Sequence, residues 1–188
     1  MNIVMKTAQS VQVRQILAGR ISSLRWLLLP LALFAATRLG IFLVAYLAVG
    51  LIPDAAAVPP YHLRGTNNLL VDVLGSRWDT GFYISIAEEG YRFQDVPLPS
   101  VAFFPLLPLL MRALTPLVGD PLIAGILISN VALLLATFLF YRLVEDGWGN
   151  QVAGRAVWYL LIFPAAFYGA AVYSESLFLL GAIGALYC

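Results

Sequence analysis

WLLLPLALFAATRLGIFLVAYLAVGLI, residues 26–52, is the stretch that decides the fold. It is almost wholly apolar, and Arg38 is its one charged residue. At 1.5 Å per residue a helix of this length reaches about 40 Å, enough to cross a hydrocarbon core of about 30 Å with tilt. A secretory signal peptide has a shorter apolar run followed by a small-residue cleavage site. The length here predicts a retained first transmembrane helix. Residues 1–25, just before it, hold Lys6, Arg14, Arg20 and Arg25 and no acid, whereas residues 53–70 hold Arg64 as their one basic side chain. The positive-inside rule then puts the N-terminus in the cytoplasm and residue 53 outside. Within 1–25, Val13, Ile16, Leu17, Ile21 and Leu24 share one helical face, which suggests a basic amphipathic segment on the cytoplasmic leaflet; a frayed basic tail is the alternative.

The whole chain has the composition this stretch leads one to expect. Of 188 residues 61% are hydrophobic and 11% charged, against roughly 45–50% and 25% in a soluble domain. Disordered chains, disulfide scaffolds and nucleic-acid binders need compositions that are missing here. Eleven basic and ten acidic side chains nearly cancel, so no global field attracts a polyanion. One cysteine, Cys188, excludes an intrachain disulfide.

Beyond the first span the charge collects in one place. Residues 53–100 carry Asp54, Asp72, Asp79, Glu88, Glu89 and Asp95 with Arg64, Arg77 and Arg92, and read as a large first external loop. Inside it, Thr80–Glu89 puts Phe82, Tyr83, Ile86 and Ala87 on one side and Ser85, Glu88 and Glu89 on the other, and Gly90 follows. That pattern predicts a short juxtamembrane helix ended by its glycine. Residues 101–118 are apolar but hold Pro105, Pro108 and Pro116, so they read either as a full span or as a re-entrant element. A cleaner span covers 122–144, a polar turn 145–154, and two further apolar runs 156–171 and 176–188, with Tyr173, Ser174 and Glu175 between them. Arg142 and Arg155 bracket the 145–154 turn, which favours the reading in which 101–118 does not cross. Asp79 and Glu175 then emerge on the same side. The fold class is all-α, a polytopic transmembrane helix bundle. The chain stops within an apolar run, so 26–188 is expected to be the N-terminal part of a longer transmembrane domain.

Few side chains can carry chemistry. One histidine, His62, and one cysteine give no metal-ligand spacing, and no GxSxG, GxGxxG or GxxxxGK[ST] string occurs. No metal and no cofactor is expected. Arg77-Trp78-Asp79 opens the juxtamembrane helix, where Asp79 has two compatible roles: a helix N-cap, or a carboxylate that takes a proton from a hydroxyl. Trp78 suits the membrane interface, and Arg77 and Arg92 could hold a phosphate. Arg38, near the middle of the first span, costs at least about 2.5–3.5 kcal/mol on insertion scales and calls for a partner such as Glu175 or for a polar cavity. Ser129 and Asn130 read as helix-packing polar groups, and Pro164 as a break at depth.

The run from Arg77 to Tyr91, RWDTGFYISIAEEGY, has the shape W-D-x-x-x-[FY]-x-x-I-A-x-x-G-Y. It is followed by Ala102-Phe103-Phe104-Pro105, by Phe163-Pro164 and by Tyr173-Ser174-Glu175-Ser176-Leu177-Phe178. In that order these blocks resemble the GPI mannosyltransferase 2 (PIG-V-like) family and its prokaryotic membrane relatives, within the GT-C glycosyltransferase superfamily. The resemblance covers about 26–188. It implies a multi-pass bundle of GT-C type, in the cell membrane of a prokaryote or the endoplasmic reticulum membrane of a eukaryote. It also implies transfer of mannose from a polyprenyl- or dolichyl-phosphate donor to a glycan or glycolipid acceptor on the non-cytoplasmic face. Asp79 matches the catalytic carboxylate of that family. Arg77, Arg92 and Arg38 are implied donor-phosphate ligands, in falling order, with Trp78, Tyr173 and Glu175 as further substrate-binding residues. Where animal and fungal members commonly have a histidine shortly after the aspartate, this chain has Thr80-Gly81, which is nearer the prokaryotic relatives. The alternative function is a protein that binds or flips a polyprenyl-phosphate sugar without transferring it; such a protein needs cations but no base.

Overall fold

The structure is a computed structural model that describes residues 2–51, 79–92 and 100–188. It is helical, in the order α1 (Asn2–Leu51), α2 (Thr80–Glu89), a 3-10 turn (Ser100–Ala102), α3 (Leu106–Val118), α4 (Pro121–Trp148), α5 (Asn150–Ile162), a 3-10 segment (Pro164–Ala170) and α6 (Glu175–Tyr187). No strand occurs among the described residues. Among the described residues two helices are long and apolar enough to cross a membrane, Trp26–Ala48 within α1 and Pro121–Trp148, and α5 with the 3-10 segment passes the same test as a pair bent by 78°.

α4 is the centre of the bundle, and its ends are sequence-encoded. Asp120 is extended at the N-cap and its Oδ1 accepts from Leu122 N (2.7 Å) and Ile123 N (3.0 Å), with Pro121 in the first turn. These satisfy orphan donors that an apolar helix start cannot leave bare. At the far end Gly149 has φ 81° and donates its N–H to Glu145 O, a backbone shape that glycine adopts without a Cβ penalty. The polar turn expected over 145–154 is therefore reduced to this single residue, since helix continues to Trp148 and resumes at Asn150. Acids and amides within helical turns need no loop when their side chains reach solvent.

The proline-rich 101–118 run resolves into one helix. Pro105 stands at its N-cap, and Gly119 closes it at φ 82° with its N–H on Thr115 O (2.8 Å). Thirteen residues span about 20 Å, short of a 30 Å hydrocarbon core. α3 packs beside α4, with Leu107 and Met111 in the core it shares with Leu122.

Two apolar cores sit along α4. Near its start, Tyr83, Ile84 and Ala87 of α2 pack on Leu107 and Met111 of α3, Leu122 of α4 and Val172. Phe103 stacks on Phe82 (centroids 4.6 Å) and meets Tyr83 edge-on (5.1 Å). Toward its end, Leu133, Tyr141 and Val144 pack with Ala153, Val157 and Leu161 of α5 and with Leu29, Leu33 and Phe34 of α1. One glycine governs the first core: a Cβ at Gly125 would lie 2.6 Å from Val172 Cγ1 and 2.9 Å from its Cγ2. Overpacking of this kind costs about 1–3 kcal/mol. Gly125→Ala is therefore expected to lower the thermal unfolding midpoint in detergent, and adding Val172→Ala, which removes both clashing methyls, to recover part of the loss.

Candidate functional site

The site begins where α2 begins. Asp79 occupies the N-cap position, and its backbone oxygen accepts from Phe82 N (3.0 Å) and Tyr83 N (3.3 Å). Its φ and ψ are −71° and −11°, and its side chain makes no cap bond. The N-cap role foreseen for the Asp79 carboxylate is thus not realised: a capping side chain needs a residue in the β region, as at Asp120, and Asp79 is already helical. The carboxylate is exposed and uncommitted to its own helix.

Its backbone, by contrast, is tied down. Asp79 N–H donates to the Tyr173 hydroxyl (3.4 Å), and the Tyr83 hydroxyl donates to Ser174 Oγ (3.0 Å). Tyr168 packs its ring against Tyr173 at 5.0 Å. Glu175, the exposed first residue of α6, lies next along the chain, at the helix end where a negative charge is favoured. Burial pushes the Tyr83 phenol above its ordinary value, the Ser174 bond opposes this, and the nearby Glu175 and Asp79 carboxylates add to the rise. Tyr83 is therefore a neutral hydrogen-bond donor at physiological pH, flanked by two acids. The other end of α2 is held by α3: Arg112 Nε donates to Ala87 O (2.6 Å), with its Nη2 near Ile86 O (3.5 Å) and Glu88 O (3.4 Å). A guanidinium on the last carbonyls both satisfies them and opposes the helix dipole.

Tyr173 is presented by backbone that is not α-helical. Pro164 ends α5: it lacks an N–H and forces Phe163 into an extended shape (φ −55°, ψ 137°). The carbonyls beyond the break are met by side chains. Arg38 Nη2 donates to Ala166 O (3.3 Å), Asn130 Nδ2 to Ala170 O (3.2 Å), Ser129 Oγ to Tyr173 O (3.1 Å) and Ser176 Oγ to Gly169 O (3.5 Å). Arg38 is 5% exposed, its guanidinium lies 5.5 Å from the Phe34 ring centroid, and its Nε and Nη1 have no hydrogen-bond partner. The pairing of Arg38 with Glu175 is not formed; the cation donates instead to a carbonyl of the 3-10 segment. Beside that segment, α1 and α5 enclose an apolar groove of about 430 Å³ lined by Thr37, Ile41, Val44, Leu161, Pro164 and Phe167, among others.

Of the residues singled out in the sequence, Asp79, Tyr173 and Glu175 come together, and Arg38 lies under the segment that carries Tyr173. Arg92 lies past the opposite end of α2, a ten-residue helix about 15 Å long that starts after Asp79, and pairs with Glu89. Arg77 and Trp78 lie outside the described residues. Tyr83, Ser174 and Arg112 were missed, and Ser129 and Asn130, read as helix-packing groups, hold carbonyls of the broken segment. The signal for the last two was their position, adjacent polar residues within an apolar helix and opposite a proline break.

A helical bundle with two helices long and apolar enough to cross a membrane, among the described residues, has the architecture of an integral membrane protein. The chain belongs to the Mannosyltransferase (PIG-V) family, whose match covers residues 31–188. It is similar to GPI mannosyltransferase 2 of Chaetomium globosum, with 33% identity over 146 residues, covering 68% of this chain and 29% of that protein. The chain thus spans less than a third of that relative's length. No solved structure matches it.

Removing the α2 anchor checks this construction. Arg112→Met deletes charge-assisted bonds of the kind worth roughly 1.5–3 kcal/mol. Amide hydrogen exchange at the C-terminal end of α2, including Gly90 N–H, is expected to speed up by about tenfold or more, while exchange in the middle of α4 stays unchanged.

Proposed function

We propose that this chain carries the general base of a membrane mannosyltransferase. Its donor is a polyprenyl- or dolichyl-phosphate mannose and its acceptor a hydroxyl of a glycan or glycolipid. The family membership supports the sugar and the class of reaction. The observation that carries the rest is that Asp79 is fixed through its backbone while its carboxylate makes no bond within its helix. A base must be held in place yet remain able to accept a proton.

In the proposed step the acceptor oxygen attacks C1 of the donor sugar from the face opposite the phosphate. The O–C1 bond forms as the bond from C1 to the phosphate oxygen breaks, with inversion at C1. The acceptor proton passes to Asp79, and the lipid phosphate leaves as an anion. Arg77, two residues before Asp79, is the candidate to stabilise that developing charge. Glu175 and the Tyr173 hydroxyl are the candidates to orient acceptor hydroxyls, and the apolar groove between α1 and α5 suits part of an isoprenoid chain.

The non-cytoplasmic face is supported by the basic flank before α1 and by the shortness of α3. With α3 not crossing, α2 and residues 173–175 belong to one side of the membrane, which agrees with the bond between Asp79 and Tyr173.

In membranes containing the protein in its full reading frame and a labelled polyprenyl-phosphate mannose, Asp79→Asn is expected to reduce transfer about 10²–10⁴-fold. Expression and donor binding should persist; transfer at the parent rate would remove Asp79 from this role. For the face, Glu88→Cys in a Cys188→Ser background is expected to react with a membrane-impermeant thiol reagent added from the non-cytoplasmic side. Protection from that side with labelling after permeabilisation would reverse the orientation.

A further inference from the structure

The contact between Arg142 and Trp26 (guanidinium carbon to ring centroid 5.4 Å) sets the level of α1 against α4. Twelve residues onward along α1 stands Arg38, and twelve residues back along α4 stands Asn130. Both lie about 18 Å from that contact, so they occupy the same level of the bundle. Their hydrogen bonds confirm the register independently, since Arg38 takes Ala166 O and Asn130 takes Ala170 O of one 3-10 segment. Four residues of 3-10 helix advance about 8 Å, close to the 8–10 Å between packed helix axes. The 78° bend after α5 turns the segment across the bundle. It therefore works as a crossbar between α1 and α4, held at one end by Arg38 and at the other by Asn130.

From these observations we propose that Arg38 and Asn130 are positioning residues that clamp this crossbar and so fix Tyr173, and through it Asp79, in the working geometry of the site. Arg38 thereby takes a positioning role in place of the donor-phosphate contact that the family resemblance implied. The energetics of Arg38 point the same way. A buried guanidinium with two nitrogens lacking partners is a poor source of stability, and an apolar residue of similar volume in such a place is often neutral or stabilising. Its use lies in the one bond it makes, to a carbonyl of the 3-10 segment that follows the proline break. Beyond the crossbar the chain continues to Val172 against Gly125, to Tyr173 under Asp79 and to Ser174 under Tyr83. Errors in the height or tilt of the crossbar pass directly to Asp79, and misplacement by about 1 Å can lower a rate about 10²-fold.

The catalytic arm of the test rests on the proposed transferase reading; a second, structural arm does not. In the full-length protein, Arg38→Met and Asn130→Leu are each expected to lower kcat about 10–100-fold with the donor KM within about twofold. Arg38→Lys, which keeps a donor for Ala166 O, should restore much of the rate, and the double variant should fall little below the worse single one. The structural arm uses a Gly125→Cys/Val172→Cys pair in a Cys188→Ser background. A Cβ at 125 lies 2.6 Å from Val172 Cγ1, roughly where a sulfur on residue 172 would sit, so oxidation should close a disulfide quickly. Arg38→Met and Asn130→Leu are expected to slow that closure at least fivefold. Unchanged closure in both variants would overturn the clamp, whatever the transfer assay shows. A raised donor KM for Arg38→Met alone, with closure unchanged, would return Arg38 to a phosphate-binding role. Slowed closure in a protein with no transfer activity would uphold the clamp and remove the enzymatic reading.

Discussion

The rest of the structure depends on one constraint: peptide groups inside an apolar bundle must find hydrogen-bond partners. A continuous α-helix meets it automatically, and a proline break does not. After Pro164 the carbonyls of Ala166, Gly169 and Ala170 in the 3-10 segment, and that of Tyr173 beyond it, are each met by a side chain from another element or from the start of α6. Lipid could supply none of these bonds, and irregular backbone at this depth is tolerated only inside protein. The need to satisfy four carbonyls therefore dictates that polar residues stand at Arg38, Ser129, Asn130 and Ser176 in otherwise apolar helices. It also dictates that α1, α4 and α6 converge on the same few residues, which is how a chain with so little charge comes to have a polar interior point.

The fold was legible wherever a span was long or an end chemically marked. The first span follows from its apolar length, and α2 from its two faces and Gly90, whose N–H closes the helix on Ile86 O. The run 101–118 could be read two ways because its prolines are compatible with a kinked span and with a short helix. Composition carries no information about whether neighbours repair a break; in the structure the run forms a single helix of 13 residues between Pro105 and Gly119. The 145–154 turn misled for a related reason. Glu145, Asp146 and Gly147 look like loop residues, yet Arg142 pairs with Glu145 one turn away and the helix simply continues.

The site was legible in its blocks and not in its bonds. Asp79, Tyr173 and Glu175 stood out because acids and polar residues are rare in such a chain. Tyr83 did not, since it reads as an apolar-face aromatic, and only its hydroxyl, on Ser174, gives it a second function. Arg38 was conspicuous from its depth, but its partner was sought among acids, because unlike charges are the pairing that sequence suggests. A backbone carbonyl 128 residues away leaves no trace of charge in the sequence. Arg92 shows how nearness in sequence differs from nearness in space. Its nearness in sequence to the aspartate motif suggested a shared site, whereas a ten-residue helix separates them.

α2 brings these points together. Arg112 holds its C-terminal carbonyls, and the hydroxyls of Tyr173 and Ser174 hold its first turn, so the helix is fixed at both ends by elements that themselves pack on α4. None of these bonds uses the Asp79 carboxylate. A side-chain cap of the kind Asp120 makes would have fixed α2 more simply, but it would have engaged the carboxylate with two backbone donors. That lowers its basicity and turns it toward its own helix. Anchoring the backbone through a neighbouring hydroxyl achieves the same placement and leaves the carboxylate outward, beside a second acid. In the proposed reaction this is the arrangement that a proton acceptor requires. It also explains why so much of the polar chemistry of the bundle is spent on residues 166–174, which touch no substrate in the proposed step except through Tyr173.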